Sequence, residues 1–213
     1  DSSGETNNFT LSGNGRQAKD TPTNVYATLN PLDNYYSAST FANGNTSQTS
    51  NAGAYGWVPS TLGITSGKFY AECKQTGFSG SSNYNLIGVA SYQNTTTAQF
   101  LGESAGSASY YAQGEIYNGN GTNIGSMPTY TTNDIIGVVL DLDNNFIYWH
   151  KNGVYINSGD PTSGSSGTGG LALTASSSTS LGAYFFGSGD YGSSLVVNNS
   201  WNFGNGYFGT TAI

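Results

Sequence analysis

The residues of this 213-residue chain that could do acid-base or nucleophilic chemistry are few and scattered. His150 is the single histidine and stands in Tyr148-Trp149-His150-Lys151, where strand alternation puts it on the same face as Tyr148. A histidine acts as a general base only with a partner in hydrogen-bond reach, and no nucleophile neighbours it in the sequence. A structural or surface role is expected. Glycoside hydrolysis needs two carboxylates about 5 to 9.5 Å apart. Glu72, Glu103 and Glu115 are isolated, Glu103 and Glu115 in or beside loops, and no Glu-x-Asp-x-x-Glu strand occurs. The phosphate loop and the His-Glu-x-x-His helix are also missing from the sequence. The chain therefore reads as a non-enzyme without catalytic residues.

Metal and redox chemistry fare no better. Asp141-Leu142-Asp143-Asn144 puts two carboxylates on one strand face, but calcium takes more oxygen ligands than this stretch offers. A hairpin turn is expected there, with neither metal nor cofactor. Cys73 is the only cysteine, so an intrachain disulfide and a multi-cysteine zinc site are excluded; a buried apolar thiol is the expectation. What remains is recognition. Tyr84, Tyr92, Tyr110, Tyr111, Tyr117 and Tyr130 read as loop residues. Tyrosine gives large contact area at low entropic cost and stacks on sugars. These six are the candidate ligand or partner-binding residues.

The charge pattern narrows the partners. The formal net charge is -7, and Arg16, Lys19, Lys68, Lys74 and Lys151 are dispersed along the chain. Without a basic patch to neutralise phosphates, nucleic acid is not an expected partner, nor is an anionic membrane surface. No signal peptide is read, and no apolar run approaches the ~20 residues of a membrane span, so membrane insertion is not expected. The chain opens on Asp1, and a processed form or a fragment is expected. A lysine-poor surface rich in Tyr, Ser, Thr, Asn and Gly points to an extracellular or virion-exposed protein.

These residues must be positioned by strands. Charged residues are 8% of the chain and aromatic residues 14%, a balance that suits pleated, half-buried surfaces rather than long helices. Strands are predicted over Lys68 to Lys74, Tyr84 to Ser91, Ile135 to Asp141, Phe146 to Lys151, Leu171 to Ala175, Leu181 to Phe186 and Leu195 to Val197. Gly/Ser/Asn clusters separate them, the pattern of an antiparallel two-sheet β-sandwich. Ile135-Ile136-Gly137-Val138-Val139-Leu140 is apolar throughout and predicts an inner strand covered on both faces. Long loops are predicted over Thr76 to Asn83, Gln93 to Ser109, Tyr117 to Thr132 and Asn157 to Gly170. Residues 1–61 read as an extended segment packing on the sandwich, which itself occupies 62–213.

The strand sequences resemble the SPRY domain, a concanavalin A-like sandwich. Gly67-Lys68-Phe69-Tyr70-Ala71-Glu72 is similar to the opening strand of that family, and Ile87-Gly88-Val89 to a later one. The most specific likeness is Gly137-Val138-Val139-Leu140-Asp141-Leu142-Asp143 followed by Phe146, Tyr148 and Lys151-Asn152-Gly153-Val154. Trp201-Asn202-Phe203-Gly204 resembles the closing motif, so the likeness spans Leu62 to Gly204. Asp20-Thr21-Pro22-Thr23-Asn24, Leu29-Asn30-Pro31-Leu32 and Asn43-Gly44-Asn45 resemble segments that precede such domains in bacteriophage structural and tail fibre proteins. The resemblance implies a non-catalytic virion structural or fibre component used for protein docking or host attachment. Its expected partners are other virion or filament subunits and a host-surface protein or glycan, met as a homo-oligomer or in repeated copies. An extracellular glycan-binding lectin or adhesin, or a subunit of a cell-surface filament, is the alternative reading.

Overall fold

The computed structural model describes residues 25–34, 38–51, 55–93, 99–192 and 194–213; the expectations for Phe9, Leu11 and Asp20 to Asn24 lie outside them. The first strands are β1 (Thr40–Ala42), β2 (Ser47–Thr49), β3 (Trp57–Pro59), β4 (Lys68–Phe78), β5 (Asn85–Ala90), β6 (Ser107–Tyr111), β7 (Glu115–Tyr117) and β8 (Asn123–Ile124). There follow β9 (Ile135–Asp141), β10 (Phe146–Lys151), β11 (Val154–Tyr155), β12 (Leu171–Ala172), β13 (Phe185–Asp190), β14 (Val197–Asn202), β15 (Tyr207–Phe208) and β16 (Thr211–Ala212). One sheet runs β1-β2-β14-β4-β9-β10-β11, with β12 also on β10; the second runs β3-β13-β5-β6-β7-β8, and β15 pairs β16. The pairings are antiparallel. The expected two-sheet sandwich is the architecture observed.

The Asp141 to Val154 stretch folds as its turn residues dictate. β9 and β10 pair from Phe146↔Asp141 to Lys151↔Ile136, and Asn145, Asn152 and Gly153 all adopt positive φ, which Asn and Gly tolerate best. Asp141 is fully buried and held by Lys68 at 2.8 Å and by the Asn144 amide and side chain. Burial alone would raise its carboxyl; the Lys68 and Asn144 contacts hold it below the usual value. Asp143 accepts the Gly67 N–H at 2.8 Å. Both acids tie β4 to the hairpin.

The core lies between the sheets. Ala71, Cys73, Ile136, Val138, Leu140, Ile147, Trp149 and Trp201 from the larger sheet meet Ile87, Val89, Tyr110, Ile116 and Phe186 from the smaller. Trp149 Nε1 donates to the Ile87 carbonyl at 3.0 Å and so crosses the interface. The outer face of β9 is covered only in part, since Ile135 and Val139 keep some exposure. One region of the interior is polar. Asn85 and Asn199 exchange two side-chain hydrogen bonds of 2.7 and 2.9 Å, and Gln75 and Asn83 do the same at 2.7 and 2.9 Å. Each amide supplies one donor and one acceptor, so burial leaves both partners satisfied.

Within the described part of residues 25–61, β1 and β2 extend the larger sheet and β3 edges the smaller one. Two expectations are corrected. The predicted loop 93–109 includes the first three residues of β6, 117–132 includes β8, and β4 runs on into 76–83; Ser107-Ala108-Ser109-Tyr110-Tyr111 is buried throughout without a single aliphatic beyond alanine, so alternation is not visible in its sequence. The predicted strand at Leu181 starts only at Phe185, and the last long strand runs Val197–Asn202 rather than Leu195 to Val197. Strand β14 inserts between β2 and β4.

Candidate binding surface

Alternation along the smaller sheet sends Ile87 and Val89 inward and Leu86 and Ala90 outward, where a second apolar cluster forms with Trp57, Phe100, Leu101, Tyr111 and Tyr117. Tyr191, just after β13, is its hub. Its ring lies 4.6 Å from Phe100, 5.1 Å from Tyr111, 5.6 Å from Tyr117, 5.8 Å from Tyr55 and 6.3 Å from Tyr84. The Tyr117 pair is stacked at 14° and the Phe100 and Tyr84 pairs are edge-on, both favourable geometries. Gly192 makes room for Tyr84, since a Cβ there would stand 2.3 Å from that ring. Trp57, Phe100, Tyr111 and Tyr117 are buried, whereas Tyr55, Tyr84, Tyr92 and Tyr191 are only partly so. The cluster is a shelf with a dry floor and a wet aromatic rim.

Its chemistry is that of hydroxyls and ring faces. Tyr117 Oη donates to Glu115 at 3.2 Å. Burial pushes both the Tyr111 and the Tyr117 hydroxyl up, with Tyr191 and Glu115 adding to the shift of Tyr117. Both therefore stay protonated and act as donors rather than nucleophiles.

Of the six tyrosines singled out from the sequence, the structure brings Tyr84, Tyr111 and Tyr117 together on this shelf. Tyr92 stands edge-on to Trp57 at 5.3 Å. Tyr110 and Tyr130 belong elsewhere: their rings pack at 5.0 Å in the inter-sheet core. Tyr130 Oη donates to the carbonyls of Asn85 and Tyr110 at 2.8 and 3.0 Å, and Tyr110 Oη to that of Pro128. These two offer no surface to a ligand, because alternation turns Tyr110 inward and the Tyr130 hydroxyl is bonded to interior carbonyls. Tyr110, Tyr111 and Tyr117 are strand residues, not loop residues. Sequence reasoning missed Tyr55, Trp57, Phe100 and Tyr191. The available signal was Gly189-Asp190-Tyr191-Gly192, an aromatic residue among glycines at a strand end.

The other notable polar group crosses the outer face of the larger sheet. Glu72, Gly137 and His150 are register partners on β4, β9 and β10. Gly137 lets the imidazole lie across β9; a Cβ there would stand 2.0 Å from His150 Nε2. The Gly153 N–H donates to Nδ1 at 3.0 Å, so the ring proton sits on Nε2 and is donated to Tyr70 Oη at 2.7 Å. Tyr70 donates in turn to Glu72 at 2.6 Å, whose other oxygen accepts from Asn202 at 3.0 Å. Burial, opposed by Glu72, holds His150 below its ordinary value, and burial together with Glu72 raises Tyr70. Every donor already has its acceptor, and Glu72 is the one carboxylate in the chain of bonds. The arrangement is a closed proton path that fixes the β10–β11 turn, and it lacks the second carboxylate of a glycosidase.

No family model matches the sequence, and no curated protein matches it. Solved structures do share the architecture. The SPRY domain of human HERC1 aligns with a TM-score of 0.62 over 83% of this chain and 98% of its own, at 18% identity. The fold is that of SPRY domains. A second human SPRY domain aligns at 0.53 over 73% of this chain and 91% of its own, at 17% identity. Stonustoxin aligns at 0.56 and 17% identity over 84% of this chain but 27% of its own length. The sandwich that the Gly67 to Gly204 motifs implied is thereby found in three structures whose sequences are 17 to 18% identical to this one.

Proposed function

We propose that this chain is a non-catalytic binding module that docks a protein partner on the aromatic shelf around Tyr191. The observation that carries the reading is the half-buried rim of Tyr55, Tyr84 and Tyr191 above a packed floor. Interface centres favour such anchors, because aromatic rings bring large area with few rotamers to freeze. The SPRY fold is one that serves protein recognition in general, which supports the same choice. The finer setting we infer is a structural or fibre component of a virion, present in repeated copies at the virion surface or outside the cell. A surface poor in lysine and rich in Asn, Ser, Thr and Tyr supports it.

Imaging of the native assembly tests the setting: ordered copies on a particle or filament are expected, and a freely diffusing monomer would sink the idea. The shelf is tested separately by Tyr84→Ala, a rim change that spares the floor. Binding to the assembly partner should fall about tenfold or more while the melting curve stays near that of the parent. Unchanged affinity would remove the shelf from the interface.

The shelf also favours one second reading. The half-exposed rings of Tyr55, Tyr84 and Tyr191 suit a sugar ring, which fits an extracellular lectin or adhesin. A glycan array without a signal lost in Tyr84→Ala would dismiss it.

A further inference from the structure

A cleft of about 160 Å³ opens beside the shelf, walled by Pro59, Tyr92, Leu181 and Phe185, with Asn30 and Asp33 at its polar side. It is built by backbone contacts. Asn30 N–H donates to the Pro59 carbonyl at 2.8 Å and Thr61 N–H to that of Thr28 at 2.7 Å, which fastens the segment before Asp33 to the end of β3. Asn30 Oδ1 accepts the Leu32 N–H at 3.0 Å and folds the chain into a turn. Phe185 is placed over Gly63, where a Cβ would stand 2.7 Å from the ring. Three leucines surround the opening or its flanking turns and remain in water: Leu32 at 89%, Leu62 at 46% and Leu181 at 43% exposure.

We infer that this cleft receives an arginine side chain from a protein partner, its stem against Pro59, Leu181 and Phe185 and its guanidinium on the Asp33 carboxylate. Charge complementarity selects that occupant. The chain carries a net charge of -7 with five Lys and Arg in all. Among the described residues the ion pairs are Lys68 with Asp141 and Lys151 with Asp134, and Lys74 lies on β4 of the other sheet. None of these three described lysines serves Asp33, and Arg16 and Lys19 lie outside the described residues. Burial raises the Asp33 carboxyl and only the Gln93 side chain opposes the shift, so a cation brought from outside would stabilise it. A guanidinium also has five donors, enough to reach the oxygens of Asp33, Asn30 and Gln93 together. A leucine or methionine would satisfy the walls but desolvate the carboxylate further, with only the Gln93 side chain to offset the cost.

This deepens the docking reading by naming the chemistry of one contact, and a model compound separates its fate from that reading. The labelled protein is titrated with N-acetyl-arginine methylamide and followed by amide NMR shifts. Saturable shifts confined to Asp33, Gln93, Leu181, Phe185 and their neighbours are expected, with a dissociation constant in the millimolar range. N-acetyl-citrulline methylamide keeps the shape and loses the charge; it should bind about tenfold more weakly, as should arginine to Asp33→Asn. The citrulline comparison needs no variant and so does not depend on how Asp33→Asn folds. Absent or scattered shifts, or equal binding of the two compounds, would overturn the inference while leaving the shelf and its partner to the Tyr84→Ala test.

Discussion

Replacing Gly137 by alanine tests the closed proton path most directly. Gly137 has no positive φ to explain it, so alanine is acceptable to the backbone and should even restrict the unfolded chain, a gain of about 0.4 to 1 kcal/mol. What alanine cannot do is share space with His150, whose Nε2, Cδ2 and Cε1 would lie 2.0, 2.4 and 2.6 Å from the new Cβ. The imidazole must swing away, which breaks its bonds to Tyr70 and to the Gly153 N–H. Each loss costs about 1 kcal/mol, and crowding adds about 1 to 3 kcal/mol. The net destabilisation is about 2 to 4 kcal/mol. At about 2 to 4 °C per kcal/mol for a domain of this size, the melting temperature should drop by about 4 to 16 °C. Urea melts give the check, with the midpoint falling and the slope unchanged. The argument also fixes the sign of a double-mutant cycle: with His150→Ala already in place, Gly137→Ala should cost at least about 1 kcal/mol less. A single variant within about 0.5 kcal/mol of the parent, or a cycle that closes additively, would refute the steric account.

Two further changes probe the interior. Tyr130→Phe removes a hydroxyl bonded to two interior carbonyls and should cost about 1 to 3 kcal/mol in a denaturant melt; a neutral outcome would mean that water replaces it. Asp190 is buried, and that burial lifts its carboxyl to about 7 although the Ser50 hydroxyl and the Gly192 amide oppose the shift. A raised folded-state value means that the folded protein holds its proton more tightly than the unfolded chain does. Its contribution is full below about pH 4 and is lost as pH rises towards about 7, by about 4 kcal/mol at most. Asp190→Asn should flatten that slope, so the stability gap between parent and variant should change steadily across this window; a gap that stays constant from pH 4 to 8 would contradict it.

The fold was legible where side-chain pattern and turn chemistry agree. The β9–β10 hairpin could be read from an apolar run followed by Asn and Gly at positions that need positive φ, and those residues adopt it. β6 was illegible because its buried face is made of serine, alanine and tyrosine, which look like a loop until a neighbouring strand covers them. β1, β2 and β3 have three residues each, too few to display a period. The tyrosines show the same division. Residue type pointed to them correctly as interaction groups, but which face each one takes is set by strand parity, and parity was lost once Tyr110, Tyr111 and Tyr117 were read as loops. The Glu72 to His150 path joins residues 78 positions apart through a glycine, a relation visible only once the register is known.

The position of β14 has a consequence for how the molecule comes into being. It is the last long strand of the chain, yet it fills the gap between β2 and β4. Until residue 202 has left the ribosome, β2 has no bonded neighbour towards β4, and both carry unpaired backbone edges of the kind that recruit foreign strands. Assembly of the larger sheet therefore waits until β14 has been made, and refolding should be slow, as it is for chains whose contacts join distant segments. A nascent chain arrested before Val197 would be sticky rather than half-functional.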